Sequence, residues 1–520
     1  MDISDRQISL EEWNSVIDDH MTSADPILNL ADDGDGTYDA VFIGGGAAGR
    51  FGSAYLKAMG GRALVIDRWP FLGGTCPHQA CVPHHLFSEA AALLDRERRL
   101  GGRLWFRPDV EASILELVEL FRAGRVRAHA FMNWQTKTQL DVEYVLNAPA
   151  RALDRHTVEA AGRTFRSRTI VLALGARQQP LDESICPGGS LPGVYDFASL
   201  VEDLDYEPRR CVIIGGSKVA AEYGSFFQAT GCPTTILSRS PLLRTRHLHH
   251  VDEDVRRYVV DGMRRRGIDV IEGAVPLEIK GSDRVEAVVA QGTDGQTLHL
   301  ECDFVFNATG ERPNSELPVD WLGVEVGPAG EVLVDQRMRT SVEGVYAVGD
   351  LIGPPMEMFK ARKCGMTAAR NIMGDPFEFD FSEYPDFLHS TYEVSWVGLT
   401  EEEARERHGN VVVIQMPPKG VGSGDIPLPC AEGTMLFSFL EPELSGFQKC
   451  VVDGDTRRIL GFHHVGYGAK DAFQYLDHLM RRPGGITVDE MGVMNELFLN
   501  PEHFIQLCRL RAGRTELVDL

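Results

Sequence analysis

Residues 38–68 read YDAVFIGGGAAGRFGSAYLKAMGGRALVIDR. An apolar run meets three consecutive glycines, a stretch at helical spacing follows, and a second apolar run closes on Asp67. Strand, glycine turn, helix and strand make one βαβ unit. Gly44, Gly46 and Gly49 stand in G-x-G-x-x-G spacing, where bare backbone can approach a pyrophosphate and the helix N-terminus favours its charge. Asp67 can accept hydrogen bonds from a ribose diol. Glycines so spaced also serve close helix packing; the flanking strands and Asp67 favour the nucleotide.

The same order of elements returns at 210–240, RCVIIGGSKVAAEYGSFFQATGCPTTILSRS. Two dinucleotide folds in one chain imply two nucleotides. The second loop is Gly215, Gly216 and Ser217, so its third position has lost the glycine and a small side chain must be tolerated beside the pyrophosphate. Its second strand ends at Ser238 and Arg239 instead of an acidic residue, which suits a 2′-phosphate and predicts NADPH over NADH. Arg244 and Arg246 follow, either as assistants or as a solvated basic patch.

Between the units, TIVLALGA at 169–176 reads as a buried strand with a turn at Gly175, and FVFNATGERPN at 304–314 repeats it. In TSVEGVYAVGDLIG, 340–353, Asp350 follows a strand and is either a turn former or a holder of flavin ribityl hydroxyls. The expected architecture is α/β, two Rossmann-like domains with an α+β C-terminal dimerisation domain. The boundaries are 1–37 for a polar extension, 38–205 and 304–383 for an interrupted FAD domain, 206–303 for the NADPH domain, and 384–520 for the C-terminal domain. A length of 520 residues suits several such units.

Hydrophobic content of 43% and charged content of 25% are those of a globular protein. No apolar run reaches the ~18 residues needed to cross a bilayer. The first twenty residues are acidic and carry no basic-then-apolar leader, so the cytoplasm is expected. A net charge of −24 opposes binding to nucleic acid or anionic lipid. An anionic small substrate then needs a local basic pocket.

Ten cysteines run from 76 to 508. Cys186, Cys211, Cys232, Cys302, Cys364, Cys430, Cys450 and Cys508 read as packed thiols. Cys76 and Cys81, in GGTCPHQACVPHHLF at 73–87, differ. Five residues of ideal helix rise ~7.5 Å, beyond the roughly 7 Å Cα limit of a disulfide. Pro77 at the first helical position would leave Cys76 at the cap, folded back over Cys81, and the helix N-terminus would lower the thiol pKa. No metal centre is expected.

This order of motifs resembles the pyridine nucleotide disulfide oxidoreductases, the family of glutathione reductase and dihydrolipoamide dehydrogenase, from Tyr38 over nearly the whole chain. The resemblance implies that Cys81 touches the flavin as the charge-transfer thiol and that Cys76 is the interchange thiol. Glu222 matches the family's glutamate near the flavin, but its usual lysine partner is replaced by His84. Ordinary members end in a histidine and, five residues later, a glutamate, supplied by the other subunit to protonate a leaving thiolate. Here Phe498 and His503 hold those positions, so the general acid is missing and the pocket is drier. That suits an enolate which must not be protonated early.

CPHQAC, CVPHH, GGGAAGRFGSAYL, FKARK and FLNPEHFIQL narrow the resemblance to carboxylating members, and imply 2-ketopropyl-coenzyme M and CO2 as substrates of a homodimer with shared active sites. Arg50 and Arg362 would bind the sulfonate, and His503 would steady the enolate oxygen. His78, His129 and Met132 would line the CO2 pocket, with packing or carboxylate pairing as the plainer reading. Met358 and Gln506 are further pocket candidates. A disulfide or mercuric reductase with an altered acid is the alternative; paired cysteines in an N-terminal metal-binding domain or near the C-terminus, expected for mercury, are absent from the sequence.

Overall fold

The computed structural model describes residues 25–31, 34–101, 112–245, 251–381, 384–391, 393–416, 440, 446–466, 469 and 474–491. Most of the polar extension, residues 1–24, lies outside these residues.

Strands β1 (Ile27–Asn29) and β2 (Thr37–Ile43) lead through the glycine turn into helix α1 (Ala47–Ala58) and back as β3 (Ala63–Ile66). Helices α2 (Thr75–His78), α3 (Cys81–Gly101) and α4 (Ile114–Thr138) precede β4 (Glu143–Leu146), β5 (Arg151–Asp154), β6 (Thr157–Ala160) and β7 (Arg163–Leu172). These strands form one sheet in the order β1-β4-β3-β2-β7-β6-β5, with β18 (Val345–Ala347) joining beside β7. β4, β3, β2, β7 and β18 run parallel, and every residue of β3 is buried, as expected where helices cover both faces of a sheet. The polar extension reaches this sheet: β1 pairs antiparallel with β4, and the Asn29 side chain donates to the Val142 carbonyl at 3.0 Å.

β8 (Ala176–Gln178) leaves the first sheet, and β9 (Val194–Tyr195), α5 (Phe197–Asp203), β10 (Cys211–Ile214), α6 (Lys218–Thr230), β11 (Thr234–Ser238), α7 (Glu253–Arg265) and β12 (Asp269–Glu272) follow. A three-stranded antiparallel flap, β13 (Val275–Lys280), β14 (Ala287–Gln291) and β15 (Thr297–Glu301), precedes β16 (Phe304–Asn307). The second sheet is parallel, in the order β12-β11-β10-β16-β9. The sequence boundaries at 206 and 303 therefore need correction, because β9 and β16 lie in the nucleotide sheet and not in the FAD domain. A fully buried apolar strand carries no mark of which parallel sheet it joins.

The chain returns through β17 (Glu311–Pro313), which pairs with β8, and α8 (Glu316–Leu322) to β18, a 3-10 turn at Gly349–Ile352, and α9 (Met358–Ile372), which packs on α1. From Asp386 the C-terminal α+β domain begins with a five-stranded antiparallel sheet. Its strands are β19 (Asp386–His389), β20 (Glu393–Gly398), β21 (Val411–Met416), β22 (Phe447–Asp453) and β23 (Ile459–Val465), in the order β19-β20-β23-β22-β21. Short helices α10 (Glu401–Arg407), α11 (Gln474–Met480) and α12 (Val488–Met491) accompany it. Lys449 of β22, 1% exposed, pins this sheet to the nucleotide domain through Asp252 and Asp254, each at 2.8 Å. Among the described residues no helix is long and apolar enough to cross a membrane.

Candidate active site

The first glycine loop is shaped by close backbone contact. Gly44 has φ +109°, and a Cβ there would lie 2.2 Å from the Ala173 carbonyl oxygen; one on Gly49 would lie 1.9 Å from that of Gly44. Gly46 sits at the N-terminus of α1. Asp67 accepts from Gly45 N–H at 2.5 Å and from Trp69 N–H at 2.9 Å, so it braces the loop from below. Its burial raises the carboxyl pKa against those two hydrogen bonds. Asp350 in the 3-10 turn has a buried oxygen, Oδ1, with no hydrogen-bond partner, and burial pushes its pKa up to about 6. At Gly175, φ +66°, no atom lies within 4 Å of where a Cβ would sit. A bare-backbone loop at a helix start and an orphaned buried carboxylate oxygen fit the pyrophosphate and ribityl hydroxyls of FAD.

In the second loop Gly215 has φ +149°, and a Cβ there would meet the Ala308 carbonyl oxygen at 2.3 Å; one on Gly216 would strike Ser238 Oγ at 2.1 Å. Ser217 caps α6 without a side-chain hydrogen bond. Arg239 is exposed beyond β11 and forms no ion pair among the described residues, so it fits a 2′-phosphate. Arg244 is otherwise engaged, at 3.4 Å from Glu253 and 3.0 Å from Glu402. Arg246 lies outside the described residues.

The cysteine pair is folded differently from the sequence expectation. Cys76 lies inside the single turn of α2, the chain breaks at Gln79 with φ −140°, and Cys81 opens α3. Helix initiation thus falls four residues after Pro77, since a break at Gln79 and Ala80 folds one thiol over the other. Gly73 and Gly74, which the sequence reading passed over, complete the placement. Gly73 N–H donates to the Gly45 carbonyl at 2.9 Å, and a Cβ on Gly74 would approach Gly46 Cα to 2.7 Å. The turn before Cys76 therefore lies on the first nucleotide loop.

Both cysteines are thiols here, and they share a hydrogen bond. That bond, with Arg362 helping, holds Cys76 below its ordinary pKa against burial and Asp350. Cys81 is pushed well up, first by the same hydrogen bond and then by burial. The helix-start position of Cys81 does not overcome these effects, so the lowered thiol is Cys76. Met358 Sδ, at the start of α9, lies 3.7 Å from Cys76 Sγ. The other described cysteines are buried.

One turn into α3, His84 Nε2 lies 3.2 Å from Glu222 Oε2. Burial pushes Glu222 up, but His84, Lys218 and the His389 N–H at 2.8 Å prevail and hold it below the usual range. The Cζ atoms of Arg50 and Arg362 lie 5.6 and 5.4 Å from the ring of Phe51. Arg50 is 4% exposed, and its Nε donates to Thr136 Oγ1 at 2.8 Å. Burial lowers its pKa to about 10. Neither arginine pairs with a carboxylate among the described residues.

His78 and His129 also meet. Their ring centroids are 5.1 Å apart; His129 stacks on Phe71 at 3.7 Å, and Trp69 lies 5.0 Å from His78. Burial and Arg125 lower His78 to about 4, while burial, His78 and Arg125 lower His129 to about 3. Both rings are therefore neutral at physiological pH. His78 Nε2 lies 3.3 Å from Glu202, which Arg125 also pairs, so carboxylate pairing and clustering both hold for it. His78 Nδ1 and His129 Nε2 are buried without a hydrogen-bond partner. Met132, one turn beyond His129 on α4, packs toward Gly73. Phe498, His503 and Gln506 lie outside the described residues.

Two nucleotide folds set around a dithiol define a flavin- and pyridine nucleotide-dependent thiol oxidoreductase. The chain belongs to the pyridine nucleotide-disulphide oxidoreductase family, whose pattern matches residues 38–365, with the family's dimerisation domain at 384–505. Members use FAD and NAD(P)H, and the dimerisation domain points to a homodimer. The chain is 28% identical to dihydrolipoyl dehydrogenase of Thermus scotoductus, over 88% of this chain and 93% of that one. It is 26% identical to mercuric reductase of Lysinibacillus sphaericus, over 89% and 80%. The solved structure of the HOCl-induced flavoprotein disulfide reductase RclA from Escherichia coli, a Cu(II) complex, shares the fold. Its TM-score is 0.73 at 20% identity, over 90% of this chain and 98% of that one.

Proposed function

We propose that this protein cleaves the thioether of 2-ketopropyl-coenzyme M reductively and carboxylates the enolacetone released, the activity of 2-oxopropyl-coenzyme M reductase (carboxylating), a step in bacterial propene and epoxide use. The observation that carries the reading is the pair Arg50 and Arg362, each against the Phe51 ring and without a carboxylate partner among the described residues, with Arg362 also bearing on Cys76: such guanidiniums suit a sulfonate. FAD, when bound, passes reducing equivalents from NADPH to the cysteine pair. Cys76, the more acidic thiol, attacks the thioether sulfur. The carbon–sulfur bond breaks with its electron pair on carbon, giving enolacetone and a Cys76–coenzyme M mixed disulfide. Enolacetone adds to CO2 as acetoacetate, Cys81 displaces coenzyme M, and the disulfide reforms.

The neutral His78 and His129, packed against Phe71 and Trp69, support an uncharged co-substrate such as CO2. Phe498 at the usual acid's position supports exclusion of protons from the enolate, with His503 steadying its oxygen. Turnover with NADPH, 2-ketopropyl-coenzyme M and labelled bicarbonate is expected to label acetoacetate, and unlabelled acetoacetate would sink the reading. Phe498→His is expected to move product from acetoacetate toward acetone; an unchanged ratio would remove Phe498 from the account.

A further inference from the structure

Lys218 is the first residue of α6, directly after Ser217 of the second glycine loop. A lysine there would ordinarily be free to meet phosphate, yet its ammonium is turned away and bound by two acids. Nζ lies 2.7 Å from Glu357 Oε1 and 2.5 Å from Asp386 Oδ1, with the Phe387 ring centroid at 5.8 Å. The three charged residues come from three parts of the molecule: the nucleotide domain, the resumed FAD domain and the C-terminal sheet. Glu222 on α6 also faces Lys218, and Tyr384 adjoins the cluster. Burial opposes the charge on Lys218, but Asp386, Glu357 and Glu222 keep it well above its ordinary pKa. Burial lifts Asp386 to about 6, so it is ionised at neutrality.

Glu357 immediately precedes α9, with extended backbone at φ −124° and ψ 141°, and its side chain makes no capping hydrogen bond to that helix. The carboxylate that could cap α9 is drawn to Lys218 instead. What the cysteine pair meets from α9 is therefore Met358, at 3.7 Å from Cys76, and Arg362 one turn later, which favours the Cys76 thiolate. Asp350 raises both thiols and Glu357 raises Cys81, and Tyr223 also faces Cys81. A Glu357 carboxylate released from Lys218 would add uncompensated negative charge where the thiolate forms.

We propose that Lys218 is a positioning residue for Cys76: by clamping Glu357 to Asp386 it withdraws that carboxylate from the start of α9 and leaves Cys76 facing Met358 and Arg362, which favours formation of its thiolate. The reactivity of the thiol is thereby set from the nucleotide domain. The inference needs only thiol chemistry, so it stands or falls separately from carboxylation.

The test is the pH profile of Cys76 alkylation by iodoacetamide in the reduced holoenzyme, with the modified peptide identified by mass spectrometry. Lys218→Met is expected to raise the apparent pKa by about one unit and slow alkylation at neutral pH by about tenfold. Lys218→Arg is expected to restore the wild-type profile. Asp386→Asn removes one negative charge while leaving the Lys218–Glu357 pair, so the profile should shift to lower pH. Loss of packing would move both variants alike; the opposite signs are what the proposal demands. A Lys218→Met profile that superimposes on wild type overturns it, as does a shift of both variants in one direction. Should Lys218→Met fail to retain flavin, an Asp386→Asn profile that is unchanged or shifted upward overturns it alone.

Discussion

The two glycine loops begin alike and end differently. In the first, the third motif glycine is Gly49, and a methyl there would sit 1.9 Å from the Gly44 carbonyl oxygen. In the second, the corresponding position is Ala220, fully buried, whose methyl the domain accommodates. The first loop is also pressed from outside by Gly73 and Gly74, which carry the turn to Cys76. The second has Ser217 at the cap and Lys218 beyond it, the latter bound to acids 139 and 168 residues away. One loop is committed to its nucleotide and to the adjoining thiols. The other combines nucleotide binding with ties to the rest of the molecule.

The largest break in this comparison is Gly49→Ala. The added methyl meets backbone, which cannot rotate away, so the loop must open. Flavin absorbance of the purified protein is expected to fall from stoichiometric to near zero, while the reciprocal Ala220→Gly keeps its flavin. Full flavin content in Gly49→Ala would mean that the first loop is as tolerant as the second.

Asp350 is the carboxylate proposed for the first site, and its pH dependence has a definite sign. Burial raises the carboxyl from 3.8 to about 6. The folded protein holds this proton where the unfolded chain has lost it, so the group's contribution to stability is full below about pH 4 and lost as pH rises through about 6. A shift of about two units corresponds to at most about 3 kcal/mol. Asp350→Asn should therefore raise the melting temperature of flavin-free protein at about pH 8 more than at about pH 5. It should also weaken FAD retention, since an amide is a poorer acceptor for ribityl hydroxyls. Equal gains at both pH values would dissociate Asp350 from this titration.

The second site gives a smaller effect. Arg239 stands exposed without an ion pair among the described residues, where an acidic residue would hold a ribose diol. Arg239→Ala is expected to raise KM for NADPH by about tenfold and to change that for NADH by less than about twofold, because only the former carries a 2′-phosphate. Equal effects on both coenzymes would remove Arg239 from the phosphate site.

Much of this was legible because it is local. The glycine loops and Asp67 lie within short stretches whose order fixes their geometry. Strands β9 and β16 were misassigned because a buried apolar run reads the same in either parallel sheet. The helix break at Gln79 was missed because Pro77 offered a plausible start two residues earlier, and nothing local signals that Gln79 turns the chain. Arg50 and Arg362, 312 positions apart in sequence, both come to the Phe51 ring only through the packing of α1 against α9. The partners of Lys218 lie in other domains, so no spacing rule could supply them.

The smallest expected effect sharpens the comparison most finely. Ser217 occupies the capping position of α6, yet its hydroxyl makes no capping hydrogen bond to that helix. Replacing an N-cap serine by glycine costs only a few tenths of a kcal/mol, and less where no cap bond exists. Ser217→Gly should therefore leave the melting temperature within about a degree and change KM for NADPH by less than about threefold. If KM instead rises by about tenfold with unchanged stability, the hydroxyl is a phosphate ligand worth about 1.4 kcal/mol. The second loop would then bind its nucleotide through a side chain where the first uses bare backbone. If KM falls, the side chain only obstructs, and the two loops differ in tolerance but not in the way they hold a pyrophosphate.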